Sequence, residues 1–260
     1  MPTDGVWLSP SGNKVFIPLE NNPEVFTGLV HDLGVSPELG FYDVYSLDEP
    51  ALLAMVPRPV HSLIFITPAP MYTAVRKEDG REWWAAEREA QGDFKLTYDK
   101  SGEDEPVTWF LQTIGNTCGL IALLHSVANG EAKKYIQEGS LLDRLIKEGL
   151  PLKPRDRADV LYNSEELEKV FMKSARKGDT SAPQADEACG YHFLAFTKGK
   201  DGHLWELEGC CDGPIDRGAL PEDADLLSDE ALDKGVRRFL NHANGNLEFS
   251  IVALATRGEE

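Results

Sequence analysis

The chain has 260 residues, an ordinary globular composition and a formal net charge of −18 at neutral pH. That length suits one substantial core or two small ones. The charge argues against nucleic acid or an anionic membrane as partner and suits a basic protein or peptide. Met1 to Asn13 lacks a basic stretch followed by an apolar one, so no signal peptide is expected. Apolar runs such as Leu63–Ile66 and Leu120–Leu124 are too short to span a bilayer. Cysteines at 118, 189, 210 and 211 show no metal-type spacing. A reduced, cytoplasmic chain folded as one domain over 1–260 is the expectation.

Lys14–Leu19 reads as a short strand. Asn22-Pro23 supplies an N-cap and a Pro at N1 for a helix carrying Val25, Phe26, Leu29, Val30 and Leu33, which Gly34 ends. Phe41–Tyr45 reads as a strand and Asp48–Met55 as a short helix. Val60–Thr67 is apolar without alternation, the pattern of a strand buried on both faces. Glu78–Gln91 reads as a charged, exposed helix and Lys95–Pro106 as a loop. Leu141–Ile146 and Ser164–Ser174 have helical spacing, separated by Pro151–Pro154. Ala175–Gly190 lacks an apolar period, and a loop of that length inside a domain is usually functional. Tyr191–Thr197 and His203–Leu207 form a hairpin across an Asp201-Gly202 turn. Leu226–Leu240 reads as one amphipathic helix, and Leu247–Ala255 as a closing apolar strand. The sum is mixed α and β, a buried sheet flanked by helices.

The stretch with the most chemistry is Thr108–Asn129. An apolar approach through Trp109, Phe110 and Leu111 breaks at Gly115-Asn116, then helical spacing resumes at Leu120, Ile121, Leu124 and Val127. With Asn116 as N-cap and Gly130 at C′, the helix starts just before Cys118. A thiol in the first helical turn meets unpaired N–H groups and the positive end of the dipole, which favour thiolate. Gln112 stands six residues upstream, where its amide could donate to an oxyanion at Cys118.

A base for that thiol must come from six histidines. His125 lies two turns along the same helix, about 10 Å from Cys118, and reads as a packed core residue. His31, His61 and His242 have no neighbouring chemistry. His192 and His203 lie on the hairpin that also carries Glu206 and Glu208, which alternation puts on one face. His203 follows the turn directly and reads more simply as a surface residue. A Cys-His-carboxylate order of this kind gives a papain-like thiol hydrolase.

Gln112-Thr-Ile-Gly-Asn-Thr-Cys118-Gly, continuing to Leu-Leu-His-Ser-Val-Ala-Asn129, resembles the active-site signature of the ubiquitin C-terminal hydrolases, a family of cysteine peptidases. Tyr191-His192-Phe193 and Asp201-Gly-His-Leu-Trp-Glu-Leu-Glu208-Gly resemble its histidine and acidic segments. Pro18–Val25, Met55–Pro59, Pro214–Gly218 and Phe249–Leu254 extend the resemblance in the same order across nearly the whole chain. The resemblance implies a papain-like α/β fold with a mainly antiparallel sheet, a knotted chain and a crossover loop at about 175–190 that limits the leaving group. It implies Cys118 as nucleophile, His192 as general base and acid, and an oxyanion hole from the Gln112 side chain and the Cys118 N–H. The activity implied is cysteine-type deubiquitination, cleaving after the C-terminal glycine of ubiquitin to release small adducts, with no metal or cofactor and the enzyme a monomer. The partner is ubiquitin or a close ubiquitin-like protein. Its contacts would fall at Pro18, Leu19, Glu20, Asn21, Asn22 and Pro23, at Asp179, Asp186 and Glu187, and at Asn246, Leu247, Glu248, Phe249, Ser250 and Ile251. The family has Asp where this chain has Glu208, and one residue fewer between histidine and acid. Glu208 is expected to complete the triad with slightly repacked neighbours, Asp201 and Asp212 being the fallbacks. A protein with a degraded triad that only sequesters ubiquitin is the alternative. Cys210 and Cys211 are expected to be ordinary exposed thiols.

Overall fold

A computed structural model of the chain describes residues 3, 5–81, 95–179 and 190–258. Its centre is an antiparallel sheet of six strands in the order β3-β8-β4-β5-β6-β7. These are β3 (Leu39–Asp43), β4 (Val60–Pro68), β5 (Tyr191–Lys198), β6 (His203–Leu207), β7 (Ile215–Ala219) and β8 (Ser250–Thr256). A two-stranded ribbon of β1 (Trp7–Leu8) and β2 (Lys14–Val15) stands apart from it. The central strands are apolar on both faces because both faces are covered. Ile64, Phe193, Ala195, Val252 and Leu254 enter one core, while Leu63, Phe65, Leu194, Phe196 and Ile251 enter the other. Side chains that alternate between two cores are what an unalternated apolar strand encodes.

The first core holds α1 (Pro23–Asp32), α4 (Cys118–Val127), α5 (Leu141–Gly149), α6 (Pro154–Tyr162) and α7 (Glu165–Ala175). The second holds α3 (Ala69–Glu78), α8 (Asp229–Lys234) and α9 (Val236–Leu240), with α2 (Pro50–Leu53) at its edge. Among the described residues no helix is long and apolar enough to cross a membrane.

Several expectations change in detail. The strand expected over Lys14–Leu19 is only Lys14–Val15, and the closing strand starts at Ser250. Leu226–Leu240 is two short helices, because Gly235 breaks the run with φ −107° and ψ −107°. Pro154, read as a separator, is the first residue of α6, where its missing N–H costs nothing. The exposed helix expected over Glu78–Gln91 lies mostly outside the described residues, and α3 ends where it was to begin. Most of the crossover loop expected at about 175–190, and with it the expected knot, lies outside the described residues.

The helix α4 is held to its approach segment by its own polar side chains. Asn129 Oδ1 accepts from Thr108 N at 2.7 Å, and Asn129 Nδ2 donates to Thr108 O at 3.0 Å. His125 Nε2 accepts from Phe110 N at 2.9 Å. Burial holds this imidazole down to about 3, so it stays a neutral acceptor. From the other side, buried Arg157 of α6 ion-pairs with buried Glu105 and donates to Trp109 O at 2.9 Å. These bonds fix the segment that ends at Gln112. Arg157→Ala leaves Glu105 buried and unpaired, and is expected to lower unfolding stability by about 3–5 kcal/mol in denaturant titration.

Candidate active site

Cys118 is the first residue of α4. The N-cap is Thr117, not Asn116 as expected, and its hydroxyl donates back to Ile114 O at 2.7 Å. Asn116 instead takes the left-handed conformation, φ 60°, one of the few side chains that tolerate it. Gly130, expected at C′, lies one residue further from the C-cap Ala128. The turn therefore delivers the thiol at N1, where a backbone N–H has no intrahelical acceptor.

His192, the second residue of β5, comes to Cys118 because α4 packs against that strand. Its Nε2 hydrogen-bonds Glu208 Oε2, so the other ring nitrogen, Nδ1, is the one left to face the thiol. Glu208 lies just past β6 and is buried at 2 % exposure. Its second oxygen accepts from the Tyr72 hydroxyl, and its backbone carbonyl accepts from Trp109 Nε1 at 2.8 Å. The Tyr72 ring also meets His192 edge-on, centroids 5.0 Å apart. Burial and the Glu208 charge push the Tyr72 hydroxyl far up, so it stays protonated and donating.

Gln112 points its Nε2 at Ile114 O, 3.1 Å away, while its Oε1 is buried without a partner. Among the described residues the other amide hydrogen has no acceptor, so it is the one an oxyanion could use. Cys118, His192, Gln112, Pro18, Leu19 and Cys210 line one cleft of about 380 Å³.

The charges in this cleft support one another. Burial opposes ionisation of Cys118, but the His192 hydrogen bond and charge, with backbone donors from Phe193 and Gly119, bring its pKa below the ordinary 9.0. Burial likewise opposes the imidazolium, yet Glu208 and the Cys118 thiolate raise His192 from 6.5 to about 10. Burial opposes the carboxylate too, and the His192 charge still lowers Glu208 from 4.5 to about 2. The directions of these shifts favour a thiolate on Cys118 beside a charged His192.

The remaining candidates are engaged elsewhere. His203 binds Asp216 at 2.9 Å, Asp201 accepts from Trp205 Nε1 at 3.1 Å, and Asp212 pairs with Arg81 at 2.8 Å. Glu206, on the same face as Glu208, is buried against Arg76 and Arg217. Asn21 donates to Ser250, and Asn22 caps α1 and donates to Asp179 at 3.2 Å. Asp179 N in turn donates to Glu20 at 3.3 Å. Leu19 and Ile251 are buried, whereas Leu247 is 82 % exposed, with Glu248 exposed beside it and Pro23, Asn246 and Phe249 half-buried. Asp186, Glu187 and Cys189 lie outside the described residues. Cys211 is buried against Tyr72 at 3.4 Å and Cys210 is half-buried in the cleft, so neither is the exposed thiol expected. Tyr72 and Arg76 were not anticipated at all. Their signal was an i,i+4 pair beside the apolar Met71 and Val75, on a helix hidden behind Pro68 and Pro70.

The pair sets a pH dependence. Glu208 stabilises the fold above its ordinary 4.5, and that contribution is lost as pH falls toward about 2. His192 stabilises it below 6.5, and that is lost as pH rises toward about 10. Both act in full between about 4.5 and 6.5. Alkylation of Cys118 by iodoacetamide, followed by mass spectrometry, is expected to persist to lower pH than that of an ordinary thiol. In Glu208→Gln the neutral-pH rate should fall toward that of an ordinary thiol; an unchanged profile would remove Glu208 from the network.

The profile described as ubiquitin carboxyl-terminal hydrolase, family 1, matches residues 16–241. Ubiquitin carboxyl-terminal hydrolase 3 of Arabidopsis thaliana is 34% identical over 248 residues, covering 95% of this chain and 97% of the relative. Ubiquitin carboxyl-terminal hydrolase isozyme L1 of Homo sapiens is 34% identical over 238 residues, covering 91% and 96%. The catalytic domain of Trichinella spiralis UCH37, solved bound to ubiquitin vinyl methyl ester, shares the fold with a TM-score of 0.65 at 21% identity, covering 93% of this chain and 95% of that one. The chain belongs to family 1 of the ubiquitin carboxyl-terminal hydrolases.

Proposed function

We propose that this chain hydrolyses the bond after the C-terminal glycine of ubiquitin, releasing small adducts or short peptides. One observation carries the reading beyond membership of the family. Cys118, His192 and Gln112 line one cleft, and buried Glu208 hydrogen-bonds the His192 ring from behind.

The Cys118 thiolate attacks the glycine carbonyl, and the oxyanion is met by the Cys118 N–H and the free amide hydrogen of Gln112. The His192 imidazolium gives its proton to the departing amine, leaving a thioester on Cys118. His192, now neutral, takes a proton from water as that water attacks the thioester. Breaking the C–S bond then releases the ubiquitin carboxylate and restores the Cys118 thiolate. Glu208 keeps the ring oriented and its charge compensated throughout.

Ubiquitin is the partner in this reading, and a close ubiquitin-like protein is the narrower variant. Its contacts are assigned to Pro18–Pro23, Asp179, Asp186, Glu187 and Asn246–Ile251, where exposed Leu247 and Glu248 offer a surface. The net charge of −18 suits a basic tail. We take residues 1–260 as one catalytic domain, monomeric, working in the cytosol or nucleus, with segment 175–190 limiting the leaving group. The free thiols at Cys118, Cys210 and Cys211 suit a reducing compartment. The sequestering alternative has less support, because Glu208 reaches His192 despite its extra methylene.

Hydrolysis of ubiquitin bearing a small fluorogenic amide tests the reading. Cys118→Ala should abolish turnover, Gln112→Ala should lower kcat by roughly 10²–10³-fold, and Glu208→Gln by roughly 10²–10⁴-fold. Wild type that binds ubiquitin without turnover would establish the sequestering protein instead. Tyr72→Phe removes one bond to a charged acceptor and should lower kcat about tenfold with little change in KM. An unchanged kcat would make Tyr72 mere packing.

A further inference from the structure

Cys210 lines the catalytic cleft, yet the thiol–imidazole chemistry makes no use of its side chain. It sits beside two groups that the chemistry does use. Among the described residues, one ligand atom each from His192, Glu208 and Cys210 lie within 4.8 Å of one another. We propose that these three side chains form a binding site for a borderline-soft divalent cation, zinc foremost, whose occupancy reversibly silences the enzyme.

The donor set selects the metal. One thiolate, one imidazole and one carboxylate suit Zn²⁺, whereas Mg²⁺ and Ca²⁺ want oxygen alone. In a tetrahedral zinc site with bonds of about 2.0–2.3 Å, ligand atoms stand roughly 3.4 Å apart. The three atoms are already gathered within 4.8 Å, and a metal would enter by parting the His192–Glu208 hydrogen bond as Cys210 closes in. Two ligands are buried and held in place. Tyr72 donates to one Glu208 oxygen and Trp109 Nε1 to its carbonyl, the kind of outer support that orients metal ligands. Cys210 is half-buried and faces the cleft, so a metal can enter and a fourth position stays open to water.

Binding is ligand exchange without redox. The proton between His192 Nε2 and Glu208 and the proton of the Cys210 thiol leave to solvent as the metal takes their places. The imidazole then carries a metal on the edge that Glu208 serves, and it cannot return as imidazolium beside Cys118. The proton relay is lost while the nucleophile stays chemically intact. The silencing half of the proposal rests on the proposed function; the binding half does not.

Cobalt and zinc separate the two. Wild type, Cys118→Ala, Cys210→Ser and Cys210→Ala are titrated with Co²⁺, and the near-ultraviolet thiolate-to-cobalt band is followed. Zinc affinity is read by calorimetry, and zinc inhibition of ubiquitin-amide hydrolysis is scored in wild type and the two Cys210 variants, each against its own metal-free rate. The band and one-to-one zinc binding should appear in wild type and Cys118→Ala and be lost in both Cys210 variants. The zinc concentration for half-inhibition should rise at least about tenfold in Cys210→Ala, and a chelator should restore wild-type activity at once. A band that survives in Cys210→Ala and vanishes in Cys118→Ala would put the metal on the nucleophile and overturn the site. No one-to-one zinc binding to wild type would overturn it as well. Binding through Cys210 without inhibition would overturn the silencing. Binding through Cys210 in a chain that never hydrolyses ubiquitin would uphold the site and sink the proposed function.

Discussion

The rest of the site depends on keeping the buried Glu208 carboxylate ionised. A lone carboxylate in an apolar interior would take up a proton and stop serving His192. Here the imidazolium takes one oxygen, Tyr72 the other, and the Cys210 N–H approaches at 3.3 Å. The carboxylate in turn holds the charge on His192, and that charge holds the thiolate on Cys118. Each charge thus favours the next, and the shifts of the three groups share these causes.

That unit is anchored to a second one beneath it. Glu206 shares its face with Glu208, and two bare carboxylates so placed would repel. Arg76, 1 % exposed, answers Glu206 and lies over the rings of Tyr72 and Phe239 at 5.0 and 5.6 Å. Arg217 binds both Glu206 and Asp79, and Arg238 of α9 binds Asp79 at 3.0 Å. A single helix, α3, therefore carries both the tyrosine that serves Glu208 and the arginine that neutralises Glu206. Buried ion pairs of this kind add little net stability, but removing one member is costly. They tie the orientation of the triad to packing on the far face of the sheet.

This explains what could be read from the chain and what could not. The nucleophile helix and the hairpin of β5 and β6 are local, periodic and bounded by Gly and Asn, so their positions were legible within a residue or two. The helix α3 was not, because Pro68 and Pro70 read as a turn although Pro is at home in a first helical turn. Gly235 divides α8 from α9 with no interruption of their common apolar stripe. The ionic layer was illegible for a different reason. Arg76 and Glu206 are 130 positions apart, Arg157 and Glu105 are 52 apart, and no local pattern marks such partners. Glu208 stood out only because a family resemblance drew attention to it; on alternation alone Glu206 was its equal.

The same close packing that aims Gln112 also exposes Cys210 to the chemistry. Gln112 N donates to Gly209 O at 2.9 Å, so the oxyanion segment runs directly against the residue after Glu208. A Cβ at Gly209 would stand 2.7 Å from Gln112 Cβ and 2.8 Å from Gln112 N, and only glycine fits that approach. Across the cleft a Cβ at Gly115 would meet Val15 at 3.0 Å, which holds the other end of the turn against the β1–β2 ribbon. With position 209 pinned to the oxyanion segment and Glu208 pinned to His192, the following side chain is directed into the cleft between them. Whatever residue occupies position 210 lines the space beside His192. Burial and the Glu208 charge push the Cys210 thiol well up, so it stands protonated in that space beside His192 and Glu208.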